Sequence, residues 1–125
     1  MAHITRSIDP QAVRDLLERP PRAHLAFNLN GCIAALPVAF RYLEGNSWVG
    51  VPRGTEPPPP GAPVTLLIDD GCYWFELRAI KMRGTLHPGS PPNGASSELT
   101  WLQLAAQRTV AWDYASLRED DRDVP

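Results

Sequence analysis

Asn30-Gly31 stands between two strand-like apolar runs, His24 to Leu29 and Cys32 to Leu43, and this dipeptide narrows the available folds more than any other feature of the chain. A two-residue type I′ turn needs positive φ at both central positions, which Asn and Gly tolerate, so the two runs fold back on each other as an antiparallel hairpin. Glu44-Gly45-Asn46 then turns the chain into a third run, Ser47 to Pro52. Turns this short make an antiparallel meander, because a parallel pair needs a crossover of about a dozen residues or more.

The flanking segments extend this pattern. Asp9 before Pro10 is a helix start, and Ala12, Val13, Leu16 and Leu17 follow at helical spacing until Pro20-Pro21 ends the run. Arg53 to Pro63 holds five prolines in seven positions, which favours a stiff extended connection over a hydrogen-bonded ladder. Val64 to Asp69 reads as a strand, Asp70-Gly71 as a turn, and Tyr73 to Leu86 as a long strand. The apolar residues of that long strand change parity near Ala79-Ile80, which predicts a β-bulge there. His87 to Gly94 is a Pro/Gly loop. Ser96 or Ser97 caps a second helix to about Arg108, with Leu99, Leu102 and Ala106 facing inward, and Thr109 to Tyr114 forms a last strand. Residues 1–8 and 117–125 are expected to be flexible. At 125 residues the chain is one mainly β domain, a six-stranded antiparallel split β-barrel with an N-terminal and a C-terminal helix and no parallel pairing.

Composition removes several function classes. Hydrophobic residues at 43% and charged residues at 21% are those of a globular domain. A net charge of −2 and a pI near 5.9 leave no electrostatic footprint for a phosphodiester backbone, so nucleic acid is not an expected partner. Cys32 and Cys72 are far apart and have no His or Cys at metal spacing. The longest apolar run, Cys32 to Phe40, is nine residues with a proline inside, too short to span a membrane. The first residues contain no apolar segment of a signal peptide, so a cytoplasmic location is expected.

The second strand is apolar on both parities, with Leu36, Val38, Phe40 and Tyr42 on one side and Ile33, Ala35, Pro37 and Ala39 on the other. A strand wetted on one face alternates apolar with polar residues. Its outer side is therefore expected to be covered, by a second copy of the chain in a homodimer or by the C-terminal helix.

No nucleophile elbow, phosphate-binding P-loop, dinucleotide fingerprint or zinc-protease motif is present. His3, His24 and His87 are scattered over a terminus, a strand start and a loop, and read as solvated or capping residues. Asp69-Asp70 and Asp120-Asp121 are sequential neighbours that read as solvation, so no catalytic residue is assigned. What remains is a set of arginines among aromatics: Arg41 at the end of the second strand, Arg53 with Thr55 after the third, and Arg78 and Arg83 on the long strand near Trp74. Guanidinium forks bind phosphate bidentately, a hydroxyl completes an anion cradle, and the indoles of Trp74 and Trp112 can wall a planar ring. Taken singly, each Arg also reads as a solvated strand residue and each Trp as packing. Together they suit a phosphorylated aromatic cofactor.

The stretch from Ala23 to Leu86 resembles the pyridoxamine 5′-phosphate oxidase-like split-barrel superfamily of flavin and deazaflavin proteins. His24-Leu25-Ala26-Phe27, Leu36-Pro37-Val38-Ala39-Phe40, Trp48-Val49-Gly50-Val51, Val64-Thr65-Leu66-Leu67-Ile68-Asp69 and Leu77 to Gly84 carry the likeness. Ala111-Trp112-Asp113-Tyr114 is similar to a C-terminal segment of actinobacterial members. The resemblance implies a homodimer with FMN between its subunits, acting as an oxidoreductase that moves hydride to or from a small-molecule substrate. Arg53 and Thr55 fall in the family's phosphate loop, with Arg41 and Arg78 as auxiliaries, while Pro37, Val38 and Ala39 edge the isoalloxazine. Many members carry Ser-x-Lys and a basic helix after the third strand, whereas here Gly54-Thr55-Glu56 runs into four prolines. That departure keeps deazaflavin coenzyme F-420, haem and a non-catalytic carrier role open as alternatives.

Overall fold

The computed structural model describes residues 2–6, 10–20, 22–70, 78–90 and 93–113; the Asp9 cap, Trp74 with the expected strand start at Tyr73, and the Asp120-Asp121 tail lie outside them. Helix α1 (Pro10–Glu18) buries Leu16 and packs Ala12, Val13 and Leu17 against the core, as the spacing of these residues predicts. Strands β2 (Arg22–Leu29) and β3 (Cys32–Pro37) form the expected hairpin, with Asn30 at φ 54° and Gly31 at φ 86°. The Asn28 side-chain oxygen accepts the Gly31 amide at 3.0 Å and closes the turn. Strands β4 (Ala39–Leu43) and β5 (Asn46–Pro52) form the next hairpin, followed after the proline segment by β6 (Pro63–Asp70), β7 (Arg78–Pro88) and β8 (Leu99–Asp113).

These strands lie in the order β3-β2-β6-β7-β8-β5-β4. The first and last members of that series are one stretch of chain, interrupted at Val38. Pro37 has no amide to offer a ladder, and the Val38 amide donates instead to the Ala23 carbonyl at 3.0 Å. The stretch therefore leaves one edge of the sheet and joins the other, curling the sheet upon itself. Counted as one bent stave, β3 and β4 complete six staves, and the mainly β, curled antiparallel architecture is the one the turn pattern predicts. Its interior is filled by Leu25, Val49, Val51, Leu66, Ile68 and Ile80, each with 0% exposure, and by Phe27 and Phe40. These side chains fill the interior of the barrel.

Three expectations are corrected. The expected C-terminal helix is the first two-thirds of β8, which also absorbs the expected last strand. Leu99, Leu102 and Ala106 fit a helical period, but Leu102, Leu104 and Ala106 fit a strand period equally well. Hydrogen bonding to β5 on one side and β7 on the other overrides the helix propensity of this Leu- and Ala-rich segment. Ser96 does cap, though only a single turn: its hydroxyl accepts the Glu98 amide at 3.2 Å. Secondly, residues 2–6, expected to be flexible and with no parallel pairing foreseen, form β1 (Ala2–Arg6), parallel to β8. They occupy the β8 edge beyond Leu104, where pairing with β5 has ended and backbone groups are available.

The third correction concerns the bulge. Ala79 and Ile80 are both buried, but the β7–β8 register is regular there and shifts instead between Arg83 and Gly84. Arg83 pairs with Arg108 and Gly84 with Ala106, so Gln107 is the extra residue on β8. The apolar phase change in β7 reflects burial on both faces near its start, which a sequence period cannot separate from a bulge. Gly84 is required at the crossing: a Cβ there would overlap the Ala105 carbonyl and lie 3.0 Å from the Ala106 Cα, both backbone atoms that cannot step aside. Gly84→Ala is accordingly expected to lower unfolding free energy by about 1–3 kcal/mol. Leu66→Ala, which empties a core position, is expected to lose about 2–5 kcal/mol. Urea denaturation of both variants checks the pair.

Candidate functional site

Alternation along β2, β6 and β7 sends Leu25, Phe27, Leu66, Ile80 and Met82 inward and the residues between them outward. Cross-strand register then aligns five outward residues in one row: Ala35 on β3, Ala26 on β2, Thr65 on β6, Arg83 on β7 and Arg108 on β8. The row passes from two methyl groups through a hydroxyl to two guanidinium groups. With strands about 4.8 Å apart, Ala26 to Arg108 spans roughly 14 Å. Most of it lines a groove of about 410 Å³, bordered by Asn28 and Ile33 at one end and Gln107 at the other.

The bulge makes the cationic end. An extra residue in one strand lets two consecutive side chains face the same way. Gln107 and Arg108 are both exposed and both line the groove, while Gly84 opposite them keeps its floor low. Like charges directly across a ladder are destabilising. Arg83 and Arg108 stand in that relation, both are exposed, and neither has an ion pair or hydrogen bond among the described residues. Among the described residues no carboxylate lines the groove. What this arrangement can do chemically is accept an anion in two forks, with Thr65 and Gln107 as neutral donors beside them.

The residues singled out in the sequence are dispersed around the barrel. Arg53 and Thr55 are exposed in the turn after β5, where the Arg53 amide donates to Glu98 and the Thr55 amide to Pro52. Neither of their side chains has a partner among the described residues. Arg41 is half-buried on β4, three strands along from β7, and its Nη1 donates to the Asn93 carbonyl at 3.2 Å. Arg78 begins β7 and holds Asp70, its Nε 3.1 Å from Oδ2. Pro37 is exposed and Val38 and Ala39 are half-buried where the chain crosses between sheet edges. Trp112 is half-buried opposite Ala79, on the same strand as Arg108 but beyond it, and Trp74 lies outside the described residues. Other indoles face outward: Trp101 lies over Gly50, and Trp48 lies against Gly89.

Arg83 was legible as one of the strand arginines, but its partners were not. Arg108 and Gln107 fall in the segment that reads as a helix, and Thr65 in the motif of an ordinary strand. Only the register brings them together. The outer side of β3 is uncovered in the single chain: Ile33 is 84% exposed, and no helix over residues 99–108 exists to cover it. Among the described residues no three His, Cys, Asp or Glu side chains gather as metal ligands, and no helix is long and apolar enough to cross a membrane.

No protein-family model matches the chain, and neither does any curated protein. Solved structures do. A conserved hypothetical protein from Mycobacterium tuberculosis superposes with a TM-score of 0.67 at 15% identity, covering 89% of this chain and 88% of that one. An FAD binding protein from Mycobacterium smegmatis gives 0.59 at 13% identity over 82% and 92%. An FAD and heme binding protein from the same organism gives 0.53 at 17% identity over 86% and 67%. The likeness is one of fold.

The opposed arginines carry a stability signature of their own. In the ligand-free protein, Arg83→Gln or Arg108→Gln is expected to leave stability unchanged or raise it by about 0.2–1 kcal/mol. Added salt should shrink the difference, since exposed charges are screened. Thermal denaturation at low and high ionic strength reads both effects.

Proposed function

We propose that this chain is a cofactor-binding split-barrel protein whose ligand is a flavin-type ring with a phosphate tail. FMN is the first candidate and deazaflavin coenzyme F-420 the alternative. The observation that carries the reading is Arg83 facing Arg108 across the bulge, an unfavourable pair in the free protein that a phosphate would turn into a favourable one. The groove fits such a group on three counts. Its volume is in the range of small-molecule sites. Its cationic end offers bidentate forks. Its other end is lined by Ala26 and Ile33, with Ala35 next in the row beyond Ala26, a low surface over which a flat ring can lie. That two neighbours of the same fold are described as FAD binding and as FAD and heme binding supports a cofactor-binding role.

A bound flavin supplies hydride chemistry, and a small planar substrate would then be reduced or oxidised beside it. The chain's part is to anchor the tail through Arg83, Arg108 and Thr65, to orient the ring on the alanine wall, and to exclude water. A second copy of the chain seated on Ile33, Ala35 and Pro37 completes that exclusion, since the groove is open on this side in one copy. On this reading the cofactor lies between the subunits of a homodimer.

One observation favours the non-catalytic carrier as a second reading. Among the described residues the groove is lined by no Asp, Glu, His, Cys, Tyr or Lys, so none of them brings a proton-transfer group of ordinary pKa to the ring.

Titration of the full chain with FMN, FAD and F-420, followed by flavin fluorescence and native mass spectrometry, tests the reading. Binding in the micromolar range to a dimer is expected. Arg83→Gln and Arg108→Gln should each weaken it about 10- to 100-fold, the loss of one charge-assisted contact. Affinity no better than about millimolar for all three, or binding indifferent to both substitutions, overturns it. Turnover with reductant and acceptor panels separates oxidoreductase from carrier.

A further inference from the structure

We infer that Asn28 is the specificity residue of the groove, a side-chain N–H donor set to meet a carbonyl oxygen on the edge of the bound ring. The inference rests on the reading of the groove as the site of a ring with a phosphate tail, and it names the feature of the ring that the chain recognises.

Asn28 lines the groove at the end away from the arginines, between Ile33, its register partner on β3, and Pro63 at the start of β6. The other polar side chains of the lining, Thr65, Arg83, Gln107 and Arg108, belong to the cationic end. Among the described residues Asn28 is therefore the one polar side chain at the apolar end. Small-molecule sites take their orientation from a few polar groups placed in an apolar lining.

The hairpin fixes which atom of Asn28 a ligand meets. A backbone N–H can only donate, so the atom 3.0 Å from the Gly31 nitrogen is the Asn28 side-chain oxygen, and the NH2 is turned away from the turn. Gly31 lies beyond the end of β2, whereas Ala26, Thr65 and Arg83 lie on the opposite side of Asn28. The turn thus holds the oxygen, and the amide presents its two hydrogens toward the groove. They have no partner among the described residues. Asn28 is exposed, so in the free protein water accepts from them. A ring that lies down over Ala26 and Ile33 displaces that water and must supply an acceptor in its place.

Asn28 stands two strands from Arg83 and one outward step along the sheet, a backbone separation of roughly 12 Å. A ring tethered by its phosphate at Arg83 and Arg108 brings its far edge to this end of the groove. The rings of FMN and F-420 both carry two carbonyl oxygens on one half, so the inference holds for either cofactor. A ring whose edge carried amino groups would set donor against donor and be rejected.

The test titrates the full chain at neutral pH with FMN, F-420 and inorganic phosphate, and with two FMN analogues in which sulfur, a weaker acceptor, replaces one carbonyl oxygen or the other. Asn28→Asp keeps an oxygen for the Gly31 amide and removes the donor. Asn28→Ser keeps a hydroxyl for the turn and adds no charge. FMN is expected to bind about tenfold more weakly to Asn28→Asp and about 3- to 10-fold more weakly to Asn28→Ser, with phosphate affinity unchanged in both. The same losses are expected with F-420. One of the thio analogues should bind the natural sequence less tightly than FMN does, and Asn28→Ser should remove that difference. Circular dichroism and urea denaturation confirm that each variant is folded. Unchanged FMN and F-420 affinity in both variants, phosphate binding weakened as much as FMN binding, or a natural sequence that holds both thio analogues as tightly as FMN overturns the inference while leaving the ring-and-phosphate reading standing. Failure of both FMN and F-420 to bind the natural sequence removes that reading and the inference with it.

Discussion

Backbone pairing along β8 is the constraint on which the rest of the molecule hangs. This strand runs fifteen residues from Leu99 to Asp113 and is flanked by β7 on one side and by β5, then β1, on the other. Buried amides and carbonyls must find partners, and here the extended conformation satisfies them from both directions. A helix over the same residues would leave facing groups of β5 and β7 unpaired and open the barrel between them. The local preference of a Leu- and Ala-rich segment, a few tenths of a kcal/mol per residue, is small against that cost.

The same ladder contains the irregularity that builds the site. A regular β7–β8 pairing would send Gln107 and Arg108 to opposite faces, one of them into the core. The extra residue at the bulge turns both outward, and Gly84 is the partner that lets the two backbones approach. The interior meanwhile is closed to ligands by Leu, Ile, Val and Phe side chains. Chemistry is thus displaced to the outer surface, where a row from Ala35 to Arg108 grades from small and apolar to cationic. On the proposed reading a ligand on the outside of the barrel needs a cover, which links the exposure of Ile33 to the proposed second subunit.

Much of the fold was legible because its signals are local. Asn30-Gly31 specifies its turn through φ alone, the four prolines from Pro57 to Pro60 forbid pairing whatever surrounds them, and α1 carries its own start, stop and apolar stripe. The outward parity of Ile33, Ala35 and Pro37 follows from a period of two and is seen in the structure. Arg41 and Arg78 illustrate the other case. Both are of the right chemical type for phosphate, yet one donates to Asn93 and the other holds Asp70, contacts 52 and 8 residues distant in the chain that no pattern announces. Arg108 was hidden for the opposite reason, since its segment reads as a helix until neighbouring strands are placed.

What the sequence determined by itself is the antiparallel meander, the first helix, the proline connection, and the side of each early strand that faces the core. These depend on backbone φ preferences and on side-chain periods, properties of residues a few positions apart. Only the tertiary structure decided that residues 99–108 are strand, where the bulge falls, and which arginines meet. Those outcomes depend on ladder partners far away in the chain, and a shift of one residue in register turns a side chain from the core to the solvent.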